Sequence, residues 1–131
     1  MTGRLSPARK AALAAEIVVA YGRVRWLLRR QDFRSALKSI RTTGACQPRA
    51  GATDDRLARA VRRTLRHLPA DSRCLMQSLV LTRLLARRGR RSRLVIGVTP
   101  NDVFGAHAWV EREGIPLLPS HERDFQRLAE L

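Results

Sequence analysis

Leu13, Ile17, Ala20, Val24 and Leu27 recur at spacings of 4, 3, 4 and 3. That rhythm lines one face of an amphipathic helix. Ser6-Pro7 supplies a start for it, with serine at the cap and proline at the first helical position. The pattern breaks at Gln31-Asp32, and Phe33, Leu37 and Ile40 resume it as a shorter second helix. Thr42 to Thr53 is polar and holds Gly44, Pro48 and Gly51, which punctuate a loop. Asp54 is expected to cap a third helix, because a carboxylate there accepts from free N–H groups and favours the positive end of the dipole. Leu57, Val61, Leu65 and Leu68 form that helix's stripe, and Pro69 ends it.

The pattern changes after residue 70. Asp71 or Ser72 is expected to cap a helix from about Arg73 to Arg88, with Leu75, Leu79, Thr82 and Leu85-Ala86 inward and Gly89 closing it. Leu94-Val95-Ile96-Gly97-Val98 is short, apolar and β-branched, and reads as a buried strand. Thr99-Pro100-Asn101-Asp102 is a turn, and Val103 to Glu111 a second strand. Glu113-Gly114 is a hairpin signal, and Ile115 to Leu118 a third strand. Asp124 to Leu131 is expected to form a terminal helical turn. The order predicts one α+β domain over residues 1–131, with a helical part (1–69) and a core (70–131) in which a helix packs on a small antiparallel sheet. No repeat or low-complexity segment interrupts it.

Composition bounds the function. The 131 residues are 44% hydrophobic and 28% charged, an ordinary globular mixture. No run approaches the ~18–20 apolar residues of a membrane span, and no secretory signal follows Met1, so the expected setting is cytoplasmic. Cys46 and Cys74 are too few for a disulfide framework. Lys plus Arg number 26 against 11 acidic residues, a net charge of +15, and only Lys10 and Lys38 are lysines. Such a balance fits nucleic acid or an acidic partner. The arginines, however, are dispersed between apolar helical positions, as on solvated helix faces. With aromatics at only 5%, the pattern argues against nucleic acid.

Two residues carry candidate chemistry. Cys74 falls in the first turn of its helix, where the dipole and free N–H donors favour a thiolate and Arg73 adds positive charge. A free cysteine is also a common buried hydrophobe. His107 lies 33 residues later, mid-strand in Phe104-Gly105-Ala106-His107-Ala108-Trp109-Val110-Glu111. Alternation puts His107, Trp109 and Glu111 on one face, and the small residues beside the histidine leave room for a helix end or a substrate. A cysteine nucleophile needs a base within hydrogen-bond reach, and the base needs an orienting group. No zinc-ligand pattern and no cofactor motif accompanies the pair.

Ser72-Arg73-Cys74-Leu75-Met76-Gln77-Ser78-Leu79, Arg93 to Val98, and Phe104 to Glu111 together resemble the leader peptidase of lasso-peptide biosynthesis, of the transglutaminase-like cysteine protease superfamily. The motif-bearing match covers about residues 70–118. The resemblance implies a papain-like core, with Cys74 as nucleophile and His107 as general base and then acid. It implies a ribosomal precursor peptide as substrate, cut at its leader–core junction, with no cofactor and no metal. The Cys74 N–H would serve an oxyanion hole. A leader-recognition domain takes roughly 80 further residues, so this chain is expected to be the stand-alone protease half, working with a separate recognition protein. Cyclisation belongs to a separate ATP-dependent lasso cyclase.

The chain departs from the family where an Asp usually follows the His by 12 residues: position 119 is Pro119. If Glu113 and Gly114 are the turn, Arg112 pairs with Ile115 and His107 falls opposite Ser120; a one-residue change of loop puts it opposite Pro119. Ser120, Glu122 or Asp124 are left as orienting candidates. Glu111 sits about 13 Å along the strand from His107 at ~3.3 Å per residue, too far for a direct bond. Cys46 reads as a loop thiol without a role, His67 as a helix-end residue, and His121 as a surface residue. Trp109 reads either as a cleft wall or as core. Gln77 is either an oxyanion donor or an exposed polar residue. Arg87-Arg88-Gly89-Arg90-Arg91 is a basic turn, either solvated or a dock for an acidic leader or partner. The rival readings are a transglutaminase-like acyltransferase and a catalytically impaired module binding peptide or nucleic acid.

Overall fold

The computed structural model describes residues 7–41, 53–68, 73–98, 106–117 and 126–130. Helix α1 (Pro7–Arg30) leads into α2 (Phe33–Arg41), α3 (Asp54–Leu65) and α4 (Arg73–Arg87). Strands β1 (Arg93–Val98), β2 (Ala106–Arg112), β3 (Ile115–Pro116) and β4 (Gln126–Glu130) follow. They form one antiparallel sheet in the order β3-β2-β1-β4.

The predicted faces are the buried ones. Leu13, Ile17, Ala20, Val24 and Leu27 face the core on α1, joined by Tyr21. Ala36, Leu37 and Ile40 do so on α2, with Phe33 partly buried. Leu57, Val61 and Leu65 do so on α3. Asp32 caps α2: its Oδ2 accepts from the Ser35 N–H at 3.2 Å and its Oδ1 from the Ser35 hydroxyl at 2.6 Å. The Ser35 side-chain bond and then its backbone bond hold the Asp32 carboxyl below its ordinary value of 3.8.

Helix α4 is the hub, packing against α1, α2, α3, β2 and, less extensively, β1. Its inward set is wider than the expected stripe: Met76, Ser78, Leu79, Val80, Leu81, Thr82, Leu84 and Leu85 are all buried. Leu75 and Ala86, expected inside, are only half-buried. A helix with neighbours on several sides buries more than one face. Gly89 ends it at φ +71, with Arg90 N–H to Leu85 C=O (2.9 Å) and Gly89 N–H to Ala86 C=O (3.0 Å). That is the paired C-terminal closure in which glycine takes the left-handed position.

Two expectations are corrected. The cap of α3 is Thr53, not Asp54: its hydroxyl accepts from the Arg56 N–H at 3.3 Å. Asp54 is the first helical residue, and its carboxylate instead binds Arg90 Nη1 at 2.8 Å and Arg112 Nε at 2.7 Å, tying α3 to the α4–β1 turn and the end of β2. Secondly, Gln126–Glu130 is a strand, not a helical turn. It pairs with the second edge of β1, whose residues Leu94, Val95 and Gly97 are buried. Buried backbone N–H and C=O groups need partners, and that demand outweighs the helix propensity of Gln, Arg, Leu, Ala and Glu. The pairing steps from Ile96↔Ala129 to Gly97↔Arg127, which leaves Leu128 as the extra residue of a bulge. The expected N-terminal extension of β2, Val103 to Gly105, and the expected caps Ser6, Asp71 and Ser72 lie outside the described residues.

Not all of the arginines are solvated. Arg88 and Glu16 keep only 7% and 8% of their side chains exposed and pair α4 to α1 through two contacts, Nη2–Oε1 at 2.9 Å and Nη1–Oε2 at 3.1 Å. Burial disfavours the charge of Arg83, as do the neighbouring Arg23 and Arg87. No described helix is long and apolar enough to cross a membrane.

Removing one partner of a buried ion pair strands the other. Glu16→Ala should therefore lower unfolding stability by about 3 kcal/mol in a denaturant titration, and Glu16→Leu/Arg88→Met should recover most of it. For Asp32 the folded-state value lies below the unfolded one, so its contribution is present above pH 3.8 and is lost as pH falls through the depressed value. Ser35→Ala should move the Asp32 carboxyl back up toward 3.8 in an NMR titration.

Candidate active site

Cys74 is the second residue of α4, half-buried and a free thiol. Its position follows from the helix boundary: the first-turn N–H groups have no intrahelical partner and create a region favourable to negative charge. Its carbonyl accepts from the Ser78 hydroxyl at 2.7 Å, and the Ser78 carbonyl accepts from the Thr82 hydroxyl at 2.8 Å. Both hydroxyls are buried and satisfied within the helix, so they anchor the Cys74 turn without adding an unpaired group. Gln77 is half-buried one turn along.

His107 is the second residue of β2, and its Cα partner on β1 is Gly97. Position 107 thus has no cross-strand side chain beside it on β1, and Ala106 and Ala108 flank it along its own strand. A glycine inside a strand marks a bulge or a close approach of another group, and Gly97 sits at the bulge between β1 and β4. Sequence reasoning missed this residue. Its signal was the single glycine inside Leu94-Val95-Ile96-Gly97-Val98. Because α4 packs across β2, the helix carrying Cys74 and the strand carrying His107 are direct neighbours.

The hairpin takes the two-residue form. Glu113 and Gly114 both have positive φ (54° and 79°), Arg112 pairs with Ile115, and the Leu117 N–H donates to the Val110 carbonyl at 2.9 Å. Two consecutive positive φ values are the signature of the tight turn that matches strand twist. Pro119, Ser120, Glu122 and Asp124 lie outside the described residues, as do Cys46 and His121.

Trp109 is 5% exposed, which makes it core rather than cleft wall, and its Nε1–H donates to Glu111 Oε2 at 2.8 Å. Glu111 is a buried carboxyl that holds the indole in place. His67 is exposed just beyond α3. Among the described residues no three His, Cys, Asp or Glu side chains gather to hold a metal ion.

A family model described as transglutaminase-like superfamily matches residues 12–130. The chain belongs to the transglutaminase-like superfamily. That superfamily includes cysteine proteases and acyltransferases, and the match takes in α4, β1 and β2 together with most of the helical half. No curated protein sequence and no solved structure matches the chain.

A hydrogen bond to a buried carboxyl group contributes about 2 kcal/mol. Trp109→Phe should therefore destabilise the protein by at least that amount in thermal or denaturant unfolding, since Glu111 loses a donor in a buried place.

Proposed function

We propose that the protein is a cysteine peptidase that removes the leader peptide from a lasso-peptide precursor. The observation that carries the reading is Cys74 in the first turn of a helix packed on the strand of His107, within a superfamily that includes cysteine proteases. In this reading the Cys74 thiolate attacks the scissile carbonyl at the leader–core junction. His107 takes up the thiol proton and delivers it to the departing amine. Water then hydrolyses the thioester, with His107 again as base. The Cys74 N–H contributes to the oxyanion hole, where one donor is worth about 2.7–4 kcal/mol in measured enzymes. In this reading residues 1–131 form the protease domain, a recognition protein presents the leader, and an ATP-dependent cyclase closes the ring afterwards, all in the cytoplasm.

Pro119, where the family places an orienting Asp, leaves Ser120, Glu122 or Asp124 to orient the imidazole. Loss of that orienting group costs a serine protease about 10⁴ in turnover. A Cys–His pair depends on it less, because a thiolate forms more readily than an alkoxide. The second reading is acyl transfer from the same thioester to an amine, which the superfamily also accommodates.

Cys74→Ala should reduce cleavage of the cognate precursor by about 10⁴-fold or more, measured by mass spectrometry with the recognition protein present. Retained cleavage removes the assignment. An added primary amine captured in preference to water selects the acyltransferase.

A further inference from the structure

At the end of α4 remote from Cys74 the structure holds a cavity of about 460 Å³. Its walls are Arg41 from the end of α2, Thr82 and Ala86 from α4, and Arg90, Arg91 and Ser92 from the turn into β1. The turn chemistry makes the space: Gly89, at φ +71, swings the chain out of the helix. Arg41 Nη2 then donates to the Ser92 carbonyl at 3.2 Å across the gap. Arg90 is held at one edge by Asp54 Oδ1 at 2.8 Å, and Arg91 is exposed. Of the basic turn singled out in the sequence, Arg87 and Arg88 are turned toward Glu16. Arg90 and Arg91 line this cavity instead, and the fold adds Arg41 to them.

We propose that this cavity is an exosite that docks a carboxylate of an acidic peptide substrate. The assignment rests on the peptidase reading for the class of its occupant. Guanidinium groups present planar forks that match carboxylate geometry, and three arginines, Arg41, Arg90 and Arg91, line this one small space. A nucleic acid would be expected to meet aromatic rings on which bases stack, and the lining holds none among the described residues. From Cys74 to Gly89 the helix runs about 22 Å at about 1.5 Å per residue. An extended peptide covers about 3.3 Å per residue. The docked acidic residue therefore lies at least about seven residues from the scissile bond.

The test uses the full chain carrying Cys74→Ala and a fluorescein-labelled hexaglutamate peptide, with binding read by fluorescence anisotropy. Arg91→Glu should weaken binding by about fivefold or more, while Arg59→Glu, the same charge change on the exposed face of α3, should weaken it by less than about twofold. Equal losses from both variants overturn the proposal, because the net charge alone then attracts the peptide. Equal affinity for a hexaglutamine peptide overturns it, as does tighter Arg91-dependent binding of a six-nucleotide oligo-dT. Circular dichroism checks folding, and Arg91→Gln, with about a threefold loss expected, replaces Arg91→Glu if that variant unfolds. Binding is read with the nucleophile removed. A failed cleavage assay on the wild-type chain and a failed docking assay are therefore separate results.

Discussion

Helix α4 must bury apolar surface toward three helices and a sheet at once, and the other elements are arranged around that demand. Leu79, Val80, Leu81, Leu84 and Leu85 point in several directions and are all fully buried. Fully burying each such side chain is worth about 1.5–3 kcal/mol. α1, α2 and α3 cover one part of the helix, and β2 with β1 covers the rest. The same packing makes the strand bearing His107 an immediate neighbour of the helix whose second residue is Cys74. Stability and candidate chemistry thus depend on one element.

The ends of α4 are differently built. Near its start, the Ser78 hydroxyl bonds back to the Cys74 carbonyl one turn earlier, and the Thr82 hydroxyl repeats the pattern on Ser78 further along. At its finish, Gly89 reverses the chain, Arg88 locks onto Glu16, and Arg90 shares Asp54 with Arg112. The second arrangement is electrostatic. It spends several arginines on internal contacts that join α1 and α3 to the α4–β1 turn. A net charge of +15 therefore overstates the cationic surface available to partners.

The superfamily assignment and the local geometry constrain the chemistry from different sides. The family match over residues 12–130 brings cysteine-dependent acyl chemistry into view, for hydrolysis and for transfer alike. Gly97, the cross-strand partner of His107, adds a local feature: the neighbouring strand carries no side chain at that register position. Trp109 has the opposite role, filling the core and bonded to Glu111.

Where one local rule acts alone, the sequence was sufficient. The 3–4 spacing gave α1, α2 and α3 with their buried faces, Gly89 gave the end of α4, and Glu113-Gly114 gave the hairpin and its register. These are legible because helix period, left-handed glycine and tight-turn chemistry involve neighbours in the chain. Tertiary structure decided the rest. Gln126–Glu130 became a strand because the open edge of β1 needed backbone partners. Asp54 acquired Arg90 and Arg112, both distant in sequence, as partners for its carboxylate. Arg88 is buried because Glu16 meets it from another helix. Gly97 acquired meaning only when strand pairing set it opposite His107. Each of these rests on a partner that no local spacing names, and such partners exist only once the chain has closed on itself.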